Sequence, residues 1–205
     1  MYQRKTIPGG NSYFPKKIRM KKIAAVQLST LLLVLLMNFF AAGSLHAQKT
    51  TIWIVRHGEK DTAQAQKQDP NLSEAGQQRA KDLFQKIGKE HPSVVYSTER
   101  KRTRQTVAHF PAAQQLVIYD SKALPALAQK IRSENKGATV LVVGHSNSLL
   151  ETIEALGGKR PVPELTEDDY DYLFKVVIDK KGEVKVRYQH YGTPHHGGGG
   201  TMISQ

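Results

Sequence analysis

The chain has 205 residues, which is enough for one ordinary α/β domain and short for two. Lysine and arginine together number 30 against 18 aspartates and glutamates, so the formal net charge is +12, and there is no cysteine. The lack of cysteine excludes disulfides, so the fold must be stabilised by its core.

Residues 1–47 differ in composition from the rest of the chain. They contain seven lysines and arginines and no acid, and an apolar run follows Met20 and ends in small residues at Ala47. A basic start, an apolar centre and a small-residue end are typical of a secretory signal peptide. We therefore predict an upstream leader, residues 1–19, a signal peptide from about Met20 to Ala47, and a mature domain that is periplasmic or secreted.

The alternative for this segment is an uncleaved membrane anchor, because Ile23 to Gly43 is close to the roughly 20 residues that span a bilayer. The domain would then be membrane-anchored and face the same compartment. Without the seven basic residues of 1–47, 23 basic residues remain against 18 acidic ones, a net charge of +5. This charge is mild and shows no basic stripe interleaved with aromatic residues, so nucleic acid is not a predicted partner.

Beyond residue 48, short apolar runs alternate with segments of helical periodicity. Ser73 is a predicted helix N-cap, and Gly157 is a predicted helix end. A final hairpin is predicted to turn at Lys181-Gly182. The predicted strands are 51–55, 93–97, 115–120 and 138–144, followed by two hairpin strands within 172–191, and the predicted helices are 72–90, 102–110, 124–135 and 146–158.

Alternation of strands and helices predicts an α/β fold: a three-layer sandwich with a mostly parallel central sheet, helices on both faces and a C-terminal antiparallel hairpin. The fourth strand is the most uniformly apolar and is therefore predicted to be central. We place the folded domain at 48–192 and predict a flexible, glycine-rich tail at 193–205.

Basic and imidazole side chains follow three of the predicted strands. Arg56 and His57 end the first, Arg102 opens the helix after the second, and His145 follows the fourth. Ligand sites of open α/β sheets lie beyond the carboxyl ends of the strands, so these four side chains are expected to converge. Guanidinium groups and helix N-termini bind phosphate, and a neutral imidazole can attack phosphorus.

The segment "IVRHGEK" resembles the signature of the histidine phosphatase superfamily, which has the phosphoglycerate mutase-like fold. "LSEAGQQRA", "YSTERKRTRQT" and "VVGHSNS" are similar to further family segments, in the same order. The resemblance implies that His57 is the phosphorylated nucleophile and that Arg56, Arg102 and His145 bind the phosphoryl group. It places the second arginine four residues before Thr106, at Arg102. It also implies a metal-independent phosphatase without a cofactor.

The proton donor of such a reaction is not evident in the sequence. Asp120, at the end of the third strand, and Glu59, beside the nucleophile, are the two candidates. A mutase-type glutamate segment is missing, which favours hydrolysis over transfer of phosphate. The loop between Glu59 and Leu72 is short, so a phosphorylated small molecule or a phosphoprotein could enter the pocket.

Two other functions are compatible with parts of the sequence. "GHSNS" lies between a strand and a helix like the nucleophile elbow of a serine hydrolase, with Ser146 as nucleophile, Asp168 or Asp169 as acid and His190 as base. A catalytically degenerate phosphate-binding or interaction module is the non-enzymatic alternative. The histidines outside the motifs are interpreted as structural or solvent-facing, and the neighbouring pair His195-His196 as a poor metal site.

Overall fold

The computed structural model of the chain describes residues 49–64, 68–112 and 114–196. The predicted leader and signal segment, 1–47, and residues 197–205 of the predicted tail lie outside the described residues. Within the described ranges, none of the helices combines the length and the apolar character that crossing a bilayer requires.

Six strands in the described part of the chain form one mixed sheet. Their bounds are β1 Thr50–Arg56, β2 Val94–Ser97, β3 Gln115–Ile118, β4 Thr139–Gly144, β5 Tyr172–Ile178 and β6 Val184–His190.

The spatial order of the strands is β3-β2-β4-β1-β5-β6. The first four of these are parallel, whereas β5 is antiparallel to β1 and to β6. β4 lies between β2 and β1, as its apolar sequence predicts, because a strand covered on both faces needs apolar side chains on both. The hairpin turns at Gly182, whose φ of +85° favours a residue without a Cβ.

Four α-helices connect these strands. Ser73 caps the first of them by accepting a hydrogen bond from the Gly76 N–H, as predicted, and Gly157 follows the last with φ +84°. The second helix is shorter than predicted and ends in a turn after Thr106. The bounds are α1 Glu74–Ile87, α2 Lys101–Thr106, α3 Leu124–Glu134 and α4 Ser146–Ala155, with short 3-10 helices at Thr62–Gln64 and Gly88–Glu90.

Alternate residues of β1 pack into two separate cores. Ile52 and Ile54 join α3 and α4 on one face, and Trp53 and Val55 join α1 and the residues after α2 on the other. Side chains of a strand alternate between faces, so each core needs its own helix layer. The predicted three-layer α/β sandwich, with its mostly parallel sheet and antiparallel hairpin, is confirmed.

The first four residues of the predicted tail contact the domain. The Thr193 carbonyl oxygen accepts a hydrogen bond from Arg79 at 2.9 Å, and the His195 N–H donates to Asp171 at 3.1 Å. The folded part of the chain therefore extends to residue 196, beyond the boundary at 192 that the glycine-rich composition suggested.

Candidate active site

The carboxyl ends of three parallel strands bring the predicted site residues together. Arg56 is in register with Gly144, and the His57 N–H donates to the Gly144 carbonyl oxygen at 3.1 Å. His57 therefore follows β1 at the same level at which His145 follows β4. The ring centroids of the two histidines are 5.3 Å apart, and Arg102 reaches His57 from α2.

Two hydrogen bonds fix the tautomer of His57. Its Nδ1 lies 2.7 Å from the carbonyl oxygen of Gly58, which can only accept, so Nδ1 carries the proton. Arg102 donates from Nε to His57 Nε2 at 3.0 Å, so Nε2 presents a lone pair. The atom that the cations surround is thus the one able to act as a nucleophile.

Gly58 lets the loop behind His57 pass very close to α1. A Cβ built on Gly58 would lie 2.7 Å from the Gly76 carbonyl oxygen, which is closer than side-chain carbons approach backbone. The Gly58 N–H donates to Thr106 Oγ1 at 3.0 Å. These contacts position the Gly58 carbonyl oxygen that orients the ring of His57.

Burial lowers the pKa of His57 well below 6.5. The hydrogen bond to Gly58 opposes this change, and the charges of Arg102 and Arg56 reinforce it. Because only 3% of His57 is exposed, the imidazolium form is poorly hydrated. His57 is therefore neutral at neutral pH.

His145 is also held in the neutral form. Burial lowers its pKa to about 4, with further contributions from Arg102, Arg100 and Arg56. Its Nε2 lies 3.1 Å from the hydroxyl of Thr98, the residue after β2. A phosphate dianion in the pocket would favour its protonation, because an opposite charge raises the pKa of an imidazole.

Arg56 is a charged side chain that is only 1% exposed. Its Nη1 donates to the carbonyl oxygens of Thr166 and Glu167, and its Nη2 donates to the Glu167 carboxylate at 2.9 Å. Its guanidinium carbon lies 3.9 Å from the centre of the Tyr170 ring. Arg56 thus holds the 166–170 loop over the pocket and places a positive charge beside His57.

The pocket at this site has a volume of about 340 Å³. The N-terminus of α4 lies at its rim, so backbone N–H groups add to the positive potential. Such a cavity suits a tetrahedral anion. Its lining residues are Arg56, His57, Lys60, Arg100, Arg102, Ser121, His145, Ser146, Asn147 and Glu167.

The two predicted proton donors lie in different surroundings. Both oxygens of Glu59 accept hydrogen bonds from Arg79, at 2.6–3.0 Å, in a nearly buried ion pair. This ion pair holds both oxygens of Glu59 towards Arg79. Asp120 lines a neighbouring cavity of about 860 Å³ that also contains Arg100 and His145.

Glu167 and Tyr170 belong to the site and were missed in the sequence. Glu167 accepts a hydrogen bond from the Ser146 hydroxyl at 2.6 Å, and this bond, together with Arg56 and Lys60, lowers its pKa although burial opposes the change. The acidic run "TEDDYDY" was the available signal, but only tertiary structure shows that it folds back onto β1.

The residues proposed for a serine hydrolase lie in separate hydrogen-bonded groups. The Ser146 hydroxyl donates to Glu167 in the His57 pocket. His190 instead pairs with Asp171 in another cavity, and Asp169 accepts from Thr166. These contacts do not assemble the predicted triad.

Comparison with known proteins agrees with this geometry. Residues 52–125 match the family model of the histidine phosphatase superfamily, branch 1. The predicted resemblance to this superfamily is thus confirmed for residues 52–125, and the match supports phosphatase activity in general. A search of curated proteins gave no match.

Solved structures share the fold at low sequence identity. The protein histidine phosphatase SixA complexed with tungstate is 18% identical with a TM-score of 0.55, over 69% of this chain and 96% of that one. Phosphoserine phosphatase from Entamoeba histolytica in complex with 3-phosphoglyceric acid is 15% identical with a TM-score of 0.54, over 73% and 98%. YhfR from Bacillus stearothermophilus is 16% identical with a TM-score of 0.52, over 67% and 95%.

Proposed function

We propose that this domain hydrolyses phosphate monoesters, on a small molecule or a phosphoprotein, through a covalent phosphohistidine on His57. The observation that carries the proposal is the lone pair of His57 Nε2, 3.0 Å from Arg102 Nε in a pocket lined by cations. Phosphoryl transfer needs mainly an aligned nucleophile and positive groups around the equatorial oxygens.

In the first step, the Arg102 Nε–H turns from His57 Nε2 to a phosphoryl oxygen, and the released Nε2 lone pair attacks phosphorus. The P–O bond to the leaving group breaks, and its electron pair stays on the leaving oxygen, which takes up a proton. The ring keeps its Nδ1 proton and becomes cationic, and the Gly58 carbonyl oxygen at 2.7 Å stabilises this charge. Arg102, Arg56 and His145 surround the phosphoryl oxygens.

In the second step, a water oxygen attacks phosphorus and the P–N bond breaks. The electron pair of the P–N bond returns to Nε2. His57 is thereby regenerated as the same neutral tautomer, and inorganic phosphate is released. We propose Asp120 as the group that protonates the leaving oxygen and then accepts the proton of the water, because it lines the cavity that opens beside His145.

The test is hydrolysis of a chromogenic phosphate ester and of a phosphoserine peptide between pH 4 and 8. We expect His57→Ala to lose roughly a thousand-fold or more in kcat. Arg102→Ala should lose roughly a hundred-fold or more, as for loss of one preorganised donor. His109→Ala, at an exposed histidine outside the site, is the matched control. Acid-labile, alkali-stable labelling of wild type after rapid quenching, absent in His57→Ala, would identify the phosphohistidine.

The degenerate phosphate-binding module stays the second candidate, because Arg79 binds both oxygens of the predicted donor Glu59. It predicts binding of inorganic phosphate or tungstate that depends on Arg102, with no turnover at any pH. Turnover that survives His57→Ala would reject the phosphohistidine mechanism, and loss of turnover in Ser146→Ala alone would favour the serine hydrolase.

We also propose that the mature domain is exported, on the basis of the signal-peptide pattern of residues 20–47. Expression of the full chain followed by fractionation tests this. A soluble periplasmic or secreted product beginning at Gln48 supports cleavage, and a membrane-bound product that keeps Ile23 to Gly43 supports the anchor.

A further inference from the structure

A second group of titratable side chains lies beside the C-terminal hairpin, outside the phosphate pocket. Asp171 precedes β5, His190 ends β6, and His196 lies a few residues further on. Asp171 Oδ1 is 3.1 Å from His190 Nδ1, and Asp171 Oδ2 is 2.6 Å from His196 Nδ1. One potential ligand atom from each residue lies within 4.8 Å of the other two.

We propose that Asp171, His190 and His196 bind a divalent transition-metal ion such as Zn²⁺. Two imidazole nitrogens and a carboxylate oxygen are a donor set that zinc uses, with water completing the tetrahedron. Neither histidine is needed by the phosphate chemistry, and the site does not depend on the proposed function of the domain.

The carboxylate of this site is built into the fold. Asp171 is 1% exposed, and its Oδ2 also accepts a hydrogen bond from the His195 N–H. The His190 and His196 imidazoles and the His195 N–H thus donate to this carboxylate and fix its orientation, with one oxygen towards each imidazole.

The separations between the carboxylate and each imidazole are close to what an ion requires, and all three ligand atoms lie within 4.8 Å of one another. Bonds of about 2.0–2.2 Å to zinc place neighbouring ligand atoms of a tetrahedron roughly 3.3 Å apart. The pair Asp171–His190 nearly meets this separation at 3.1 Å, and His196 would move outward by several tenths of an ångström. A third of the His196 side chain is exposed, and His196 lies near the end of the described chain. This movement therefore costs little free energy.

Both Nδ1 atoms already face the carboxylate. An ion placed between them would replace the Nδ1 protons, which in a neutral imidazole move to Nε2, so no net proton change is needed for neutral rings. A cavity of about 870 Å³ adjoins the three residues and admits water as a further ligand. It also contains Asp82, which adds negative charge, and Lys86, which opposes it.

The alternative is that Asp171 only anchors the segment after β6 through hydrogen bonds from two imidazoles. That arrangement would need both Nδ1 protons and would gain nothing from a divalent ion. The two interpretations therefore differ in a direct measurement, which is stoichiometric metal binding.

The experiment uses the full chain without a histidine tag, treated with EDTA and titrated with Zn²⁺ by calorimetry and with Co²⁺ by visible absorption. We expect one ion per chain at this site. His190→Ala and His196→Ala should each weaken binding by at least the roughly 10- to 100-fold that second-shell changes cost. Zn²⁺ should raise the Tm of the wild type and leave the Tm of His196→Ala unchanged.

His195→Ala is the matched control, because His195 adjoins His196 but directs its Nδ1 to the Asp168 carbonyl oxygen at 2.6 Å. It should bind Zn²⁺ within a few-fold of wild type. Equal weakening by His195→Ala and His196→Ala would show an adventitious surface pair and overturn the proposal. A folded wild type that binds no stoichiometric Zn²⁺, and whose Tm is the same with and without Zn²⁺, would also overturn the proposal.

Discussion

The neutral state of His145 leads to a prediction about the stability of the fold, which can be tested without a substrate. An unfolded chain takes up a proton on this imidazole as the pH falls below about 6.5, whereas the folded chain does so only near pH 4. Between these values the unfolded state binds more protons. Stability contributed by the neutral ring is thus present above pH 6.5 and is lost as the pH falls towards 4.

The size of this effect follows from the depressed pKa. A fall from 6.5 to about 4, at about 1.36 kcal/mol for each pKa unit, gives at most ~3.4 kcal/mol. Because His145 is partly exposed, solvent screening reduces this limit. For the span from pH 7 to pH 5 we expect His145 to account for about 1 kcal/mol.

The assay is urea unfolding of wild type and His145→Gln at intervals from pH 7.5 to 4.5. Between pH 7 and 5 the free energy of unfolding of wild type should fall by about 1 kcal/mol more than that of His145→Gln. His109→Gln, at an exposed position, should keep the slope of wild type. An identical slope for His145→Gln and wild type would refute the argument that the pocket holds this ring neutral.

Three further substitutions test the contacts that support His57. Arg79→Met leaves the nearly buried carboxylate of Glu59 without its cation and should cost about 3–5 kcal/mol in free energy of unfolding. Gly58→Ala places a Cβ 2.7 Å from the Gly76 carbonyl oxygen and should cost at least about 1 kcal/mol and lower kcat. Thr106→Val removes the acceptor of the Gly58 N–H and should cost about 1–3 kcal/mol, measured by the same urea titration.

Each of these substitutions has a comparison that could contradict it. Arg160 pairs with Glu151 and Glu154 at an exposed position, so Arg160→Met should change the free energy of unfolding little. If Arg79→Met changed it equally little, burial would not make the Arg79–Glu59 pair more costly to break. Thr106→Ser keeps the hydroxyl and should retain most of the stability. A Gly58→Ala protein with wild-type stability and activity would show that the close approach to α1 is not required.

The fold could be predicted because its signals are local. The apolar runs and helical periodicity predict each strand and helix, and the uniform apolar character of 139–144 correctly places β4 inside the sheet. The basic residues that follow the strands lie close together because the carboxyl ends of parallel strands meet at the same edge of the sheet. His57, Arg56, Arg102 and His145 could therefore be grouped before any distance was known.

The rest of the site depends on pairings that have no local signal. The position of Glu59 beside His57 suggests a proton donor, and only the tertiary structure shows that Arg79, twenty residues away, binds both its oxygens. Glu167 and Tyr170 lie in an irregular segment, and nothing in their sequence shows that Arg56 binds them. The pairing of Asp171 with His190 and His196 likewise appears only once the hairpin places them together.

The hydrogen bonds of Arg56 have a consequence for the order in which the protein matures. Their acceptors lie 110 to 114 residues downstream, close to the end of the domain. While a chain is still emerging from the ribosome, the guanidinium lacks these acceptors and the wall of the pocket is missing. The pocket around His57 is therefore completed last, after residues 166–170 have emerged and folded back onto β1.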